Sequence, residues 1–372
     1  MILFLTLFAY RIQPISVVEP LKFQRRVVQP RAQENFSRLM TFAREKNELD
    51  NFDRQKETYS DTELIRRHRQ ISIEFRQLLE GKRIQVPRKL YPSEYAADSD
   101  TMWESVFRLI GAAELQRLAG EMDLRRGDLS SARDRARFLI TAGDTLIQSQ
   151  GTLLFRLIAH AIQEKGLNLF KTILEEGSVA PEHLRDMAMF LKKYRDRKFP
   201  YQDLLARESH LAEKQLSIVN MSDGKSPLAE RIITVLYSRS FKRYRMIGRR
   251  YFHRLVSLSD TPYWKIKKTT EVAFEPGFME FPTPLNMLIE LPHGIIPGIL
   301  WELFFGSFTP EMIFQSEAEA KTRMNCLLKT IHARFEQPAR LPEKFRLDMK
   351  TGEPLRAGCL TDQTIWGECG GN

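Results

Sequence analysis

The spacing of apolar residues between positions 101 and 197 constrains this chain more than any other feature. Leu153, Leu154, Leu157, Ile158, Ala161 and Ile162 recur three and four residues apart, which gathers them on one face of a helix and scatters them on a strand. Upstream, Trp103, Phe107, Ile110, Glu114 and Leu118 share the same period, and Arg126-Gly127-Asp128 breaks it. A second helix is expected from Leu129, with Ala132, Ala136 and Leu139 inward, stopping near Gly143. A third is expected from about Thr145. Gly166 and Gly177 punctuate the chain beyond it, and Pro181 suits the first turn of another helix. Helix, glycine turn, helix is the grammar of stacked α-hairpins. The expected class is mainly α, a helical bundle or irregular stacked α-hairpins, with a short β-hairpin at the C-terminal end.

The flanking sequence divides the chain further. Residues 1–31 hold an apolar run, MILFLTLFAY, and a linker containing Pro14, Pro20 and Pro30. A membrane-spanning helix needs about 20 apolar residues, and Arg11, Gln13 and Pro14 end this run early. It fits a shortened anchor, the remnant of one that starts upstream, or a buried or interfacial segment. Residues 32–200 form a first helical region. Within it Ser60 and Glu63 have capping-box spacing, Leu64, His68, Ile71, Phe75, Leu78 and Leu79 share a face, and Gly81 ends the helix. Residues 201–336 form a second helical region packed on the first, with Thr309-Pro310-Glu311 opening its last helix. Residues 337–372 read as a turn-rich tail with a small hairpin.

The chemistry visible in the sequence is that of surfaces. There are 57 basic and 47 acidic residues, a net charge of +10, and a basic balance favours anionic partners. Residues 239–254 concentrate it. Arg239, Lys242, Arg243, Arg245, Arg249, Arg250 and Arg254 stand there with no acid among them, while Tyr237, Phe241, Tyr244, Gly248, Tyr251 and Leu255 form a stripe on one helical face. Such a helix lies on phosphates or anionic lipid, or turns its aromatic stripe to a core and leaves its cations in water. Residues 285–308 are strongly apolar but carry Glu290, Pro292, His293, Pro297 and Glu302, which suits a buried helix after a kinked connection better than a membrane span.

No nucleotide, metal or nucleophile motif is present, so the sequence names no catalytic residue, no cofactor and no metal. Of seven histidines, His160 belongs to an apolar helix and reads as core, and His293 is the one placed to merit a test. Asp98 and Asp100 form a DxD pair in a loop. Cys326 reads as a small core residue. Cys359 and Cys369 flank a turn in the tail and suit a disulfide across a hairpin in an oxidising compartment.

Two stretches carry resemblances. GDLSSARDRARFLI, residues 127–140, is similar to a tetratricopeptide-type hairpin in its glycine, Ala132 and Ala136, with no second copy at the period of that repeat. The tail holds Asp348, Gly352, Pro354 and Leu355 in the order of the Asp-Pro-aromatic-x-Gly-x-Pro-Leu turn of bacterial pseudopilin-like proteins, with Met349 in place of the proline. The same tail, behind a helical region with a G-D-x-x-x-A turn and an apolar N-terminus, resembles a group of uncharacterised bacterial envelope proteins. That resemblance implies an envelope location, at the inner membrane facing the periplasm, and brings no catalytic residues with it.

The expectation is therefore a non-enzymatic, membrane-associated helical scaffold of the bacterial envelope with a protein partner, contacting the membrane through residues 1–10. The alternatives are a cytoplasmic protein that binds nucleic acid or anionic lipid through residues 239–254, and a hydrolase whose site has no local signature.

Overall fold

The computed structural model describes residues 29–50, 52–87, 99–149, 151–176, 179–199, 201–218, 248–258 and 311–334, with Val17, residues 19–22 and Met246. Every regular element among them is helical. The chain divides into two compact units. A helical body comprises residues 26–200, 262–264 and 311–372, and a second unit comprises residues 1–25, 201–261 and 265–310. The hairpin expected in residues 337–372 lies outside the described residues.

The body opens with α1 (Pro30–Glu45), followed by a 3-10 turn over Asn47–Leu49. Pro30, expected in an extended linker, is instead the first residue of α1. Its missing N–H costs nothing where helical N–H groups have no partner anyway. Three short helices follow, α2 (Phe52–Thr58), α3 (Asp61–Arg67) and α4 (Arg69–Leu79). Ser60 caps α3 as its spacing with Glu63 predicts, its hydroxyl accepting from the Glu63 N–H at 3.4 Å. Leu64, His68, Ile71, Phe75 and Leu79 are all buried.

The centre of the body is three long helices, α5 (Ser99–Arg125), α6 (Leu129–Ile147) and α7 (Leu153–Glu176). The α5–α6 turn forms where the sequence places it. Gly127 takes φ +81°, a region side chains disfavour, and the Asp128 carboxylate caps α6 by accepting from the Ser131 N–H at 3.0 Å. The next boundary falls elsewhere than expected. Gly143 does not end α6, which continues to Ile147, and α7 starts at Leu153 rather than near Thr145.

The reason is close packing. A Cβ on Gly143 would sit 2.6 Å from the Ala159 carbonyl oxygen and 2.8 Å from the Gln163 nitrogen of α7. Gly166 of α7 faces α6 in the same way, 2.7 Å from the Ala136 carbonyl oxygen. These two glycines, expected as punctuation, are the contact surface of an antiparallel hairpin whose backbones nearly touch. With α5, α6 and the last helix of the body around it, α7 is buried on more faces than one stripe supplies. Phe155 and Ala159 join Ile158 and Ile162 in the core.

Pro181 starts α8 (Pro181–Arg195), as expected. Among the described residues the last body helix, α11 (Glu311–Ala333), follows two helices of the second unit, α9 (Tyr201–Ile218) and α10 (248–258). It belongs with the body rather than with the 201–336 region, because Met324, Leu327, Leu328 and Ile331 complete a cluster with Leu167, Phe170 and Ile173 of α7 and Leu184, Met187 and Leu191 of α8. A second cluster joins α1, α3, α4, α5, α6 and α7 around Leu39, Phe75, Leu109 and Leu139. Among the described residues no helix is long and apolar enough to cross a membrane.

Candidate functional site

The charged chemistry of the body lies between its helices. Glu114, on the buried side of α5, is surrounded by cations from three elements. Lys56 of α2 lies 3.1 Å away, Lys165 of α7 3.0 Å, and Arg117, one turn along α5, 2.9 Å. Burial alone pushes this carboxyl up, but Arg117 and Lys165 hold it well below the usual carboxylate range. Arg117 also pairs with Glu121. Alongside, the Gln116 amide donates to the Ser72 carbonyl at 2.6 Å and accepts from Arg135 at 2.7 Å, and Arg135 reaches Asp123 at 2.7 Å. At the other end of α5, Arg108 pairs with Asp50 and donates to the Ala43 and Arg44 carbonyls at 3.0 and 2.8 Å, capping α1. Each group sits beside a partner of opposite charge or complementary hydrogen-bonding type, as buried polar groups require.

Asp144, near the end of α6, is buried, and it pairs with Arg197 in the segment after α8. Burial pushes its carboxyl up to about 6, with the Arg197 charge, Gln148 and Lys193 pulling the other way. A carboxyl raised in the folded state binds its proton more tightly there. Its contribution to stability grows as pH falls below about 6 and is lost as pH rises through that value. The difference in unfolding free energy between the native protein and Asp144→Asn should therefore move in favour of the native protein between about pH 7 and pH 4. Urea titrations across that range test this, and a difference independent of pH refutes it.

A third set lines α7 and α11. Arg156, His160 and Gln163 follow one another at four and three residues along α7, and all are buried. Phe199 lies between them and α11, with the Arg156 guanidinium 5.1 Å and the Lys321 ammonium 4.9 Å from its ring centre, and the His160 ring 5.9 Å away. Burial, aided by the Arg156 charge, pulls His160 down to about 3, so it is neutral across the physiological range. Lys321 pairs with Glu317 at 2.6 Å, and Arg323 with Glu164 of α7 at 2.5 Å. The sequence carries a signal for this stripe, a run of polar residues at helical spacing inside an otherwise apolar helix, but only His160 stands out there by residue type. His160 is core, as expected.

The basic stretch 239–254 is described only in part. Arg239, Lys242, Arg243 and Arg245 lie outside the described residues, as do Cys359, Cys369 and His293. Arg249 is held by Glu213 of α9 through two bonds of 2.8 and 2.7 Å. Arg250 is exposed and Arg254 half-buried. Tyr251, Phe252 and Leu255 are buried. Where α10 is described, its aromatic side faces a core and one of its arginines is bound to an acid, so the two do not combine into a stacking surface for bases. Cys326 is a buried free thiol.

Among the described residues no group of three His, Cys, Asp or Glu side chains could hold a metal ion. No protein-family model matches the chain, and no curated protein and no solved structure matches it.

Proposed function

We propose that this chain is a non-enzymatic, membrane-associated scaffold of the bacterial envelope, anchored through residues 1–10 and presenting its helical body to a protein partner on the periplasmic side. One observation carries the reading furthest: ion pairs between helices bind the body together. Glu114 with Lys56 and Lys165, Asp123 with Arg135, Asp186 with Arg137, and Glu164 with Arg323 each tie one helix to another. Ion pairs of this kind specify how helices meet. A surface held in one shape by its interior suits a protein whose work is contact. The apolar N-terminal run and the pseudopilin-like tail support the envelope location, and on this reading Cys359 and Cys369 close a short hairpin in the tail.

Fractionation of cells producing the full chain tests the proposal. The protein should remain with the membrane after a high-salt wash, and protease added to spheroplasts should digest it. Leu5→Asp with Phe8→Asp should release it into the soluble fraction, because each change places a charge in an apolar run. Recovery of the unaltered protein in the soluble fraction, or of the double variant in the salt-washed membrane, would overturn the reading.

A further inference from the structure

The outward side of α8 and the segment beyond it form a surface that the body's own packing does not explain. Residues 185–198 carry six cations, Arg185, Lys192, Lys193, Arg195, Arg197 and Lys198, and two acids, Asp186 and Asp196. Both acids are engaged, Asp186 with Arg137 at 2.5 Å and Arg133 at 3.7 Å, and Asp196 with Arg195 at 2.8 Å. Lys192, Lys193 and Lys198 are exposed, and no ion pair among the described residues holds them. On the same face, one turn from Arg185 and one from Lys192 and Lys193, stands Met189, 68% exposed. The opposite face of α8 is the buried one, through Leu184, Met187, Leu191 and Tyr194.

Cations in the last turn of a helix are favoured by its dipole, which accounts for Lys192, Lys193 and Arg195. Arg197, past the helix end, is held by Asp144, but neither that pair nor the dipole accounts for the exposed Lys198 beside it or for a bare methionine among the cations. That combination matches a partner with anionic groups above and a soft apolar layer beneath. A phospholipid bilayer has both. A nucleic-acid backbone supplies the charge without the layer.

We propose that the outward face of α8, with Arg185, Met189, Lys192 and Lys193, extended by Lys198, docks the helical body on an anionic lipid surface. The inference rests on the membrane-associated reading above and deepens it. A hydrophobic anchor and a basic surface are two separate attractions to one membrane, and two such signals hold a protein there more stably than one.

The test is partition of the purified full chain onto vesicles of phosphatidylcholine with and without phosphatidylglycerol. Binding to pure phosphatidylcholine reports the N-terminal segment and should fall in Leu5→Asp with Phe8→Asp. The increment that phosphatidylglycerol adds reports α8. Lys192→Gln, Lys193→Gln and Lys198→Gln together should reduce that increment by about a hundredfold, at about fivefold per lysine, while binding to phosphatidylcholine and the melting temperature stay unchanged. Met189→Ser should weaken the increment further, and high salt should abolish it. An increment that survives the triple substitution overturns the docking face and leaves the anchor standing. A duplex DNA oligonucleotide that binds as tightly as the anionic vesicles, through the same lysines, overturns it in favour of a phosphate-backbone partner.

Discussion

Glu114→Gln should destabilise the helical body by about 3 kcal/mol, the upper end for losing hydrogen bonds to charged groups at a buried carboxylate. The substitution keeps the shape of the side chain and removes the one anion that Lys56, Arg117 and Lys165 share. Arg117 retains Glu121 and Lys56 the exposed Asp53 at 3.6 Å, but Lys165 loses its carboxylate partner. For a body of this size the loss corresponds to a fall in melting temperature of about 10 °C. Adding Lys165→Met to the variant should recover part of it, because one unbalanced cation has gone. The pH dependence has the opposite sign from that of Asp144. The Glu114 carboxyl is held low in the folded state, so its stabilisation is complete above the ordinary carboxylate range and is lost as acid protonates it. Urea unfolding of the single and double variants checks all three statements. A single variant as stable as the native protein would falsify the account of the network.

Gly143→Ala should also destabilise, although alanine is the better helix former by about 1 kcal/mol. The added Cβ meets the Ala159 carbonyl oxygen at 2.6 Å, the Gln163 Cβ at 2.7 Å and the Gln163 nitrogen at 2.8 Å. None of these atoms can rotate away, so α6 and α7 must separate. Overpacking of this kind costs about 1–3 kcal/mol and more where backbone is the obstacle, and the expected net loss is about 2 kcal/mol. Gly166→Ala presses the same interface from the other side. The double variant should cost less than the sum of the two, since the helices need part only once. Gly127→Ala is the contrast. Its Cβ would meet nothing within 4 Å, and its cost is backbone strain alone, about 1 kcal/mol. Thermal melts of the four variants give the comparison, and a Gly143→Ala protein more stable than the native one would show that the helices are not in backbone contact.

The same glycines show where the sequence is legible and where it is not. Signals that act within one turn of chain are readable: the Ser60 cap, the Gly127-Asp128 turn, Pro181 at the start of α8, and Tyr251 and Leu255 on the inner side of α10. Gly143 misleads because a glycine that breaks a helix and a glycine that lets another helix approach look alike until the second helix is in place. Glu114 falls on the inner face of its helix by spacing, but its partners lie 58 residues before it, at Lys56, and on another helix after it, at Lys165. No local pattern links them. The membership of α11 in the first body is hidden for the same reason. Its apolar face is plain in the sequence, and what it covers is not.

That placement of α11 has a consequence for how the protein is made. Translation delivers α7 and α8 long before α11, since residues 196–310 leave the ribosome between them. Throughout that interval Leu167, Phe170, Ile173 and Met187 lack the cover that Met324, Leu327, Leu328 and Ile331 later provide. The nascent chain therefore carries an uncapped oily flank, a natural docking point for a holding chaperone, until α11 emerges.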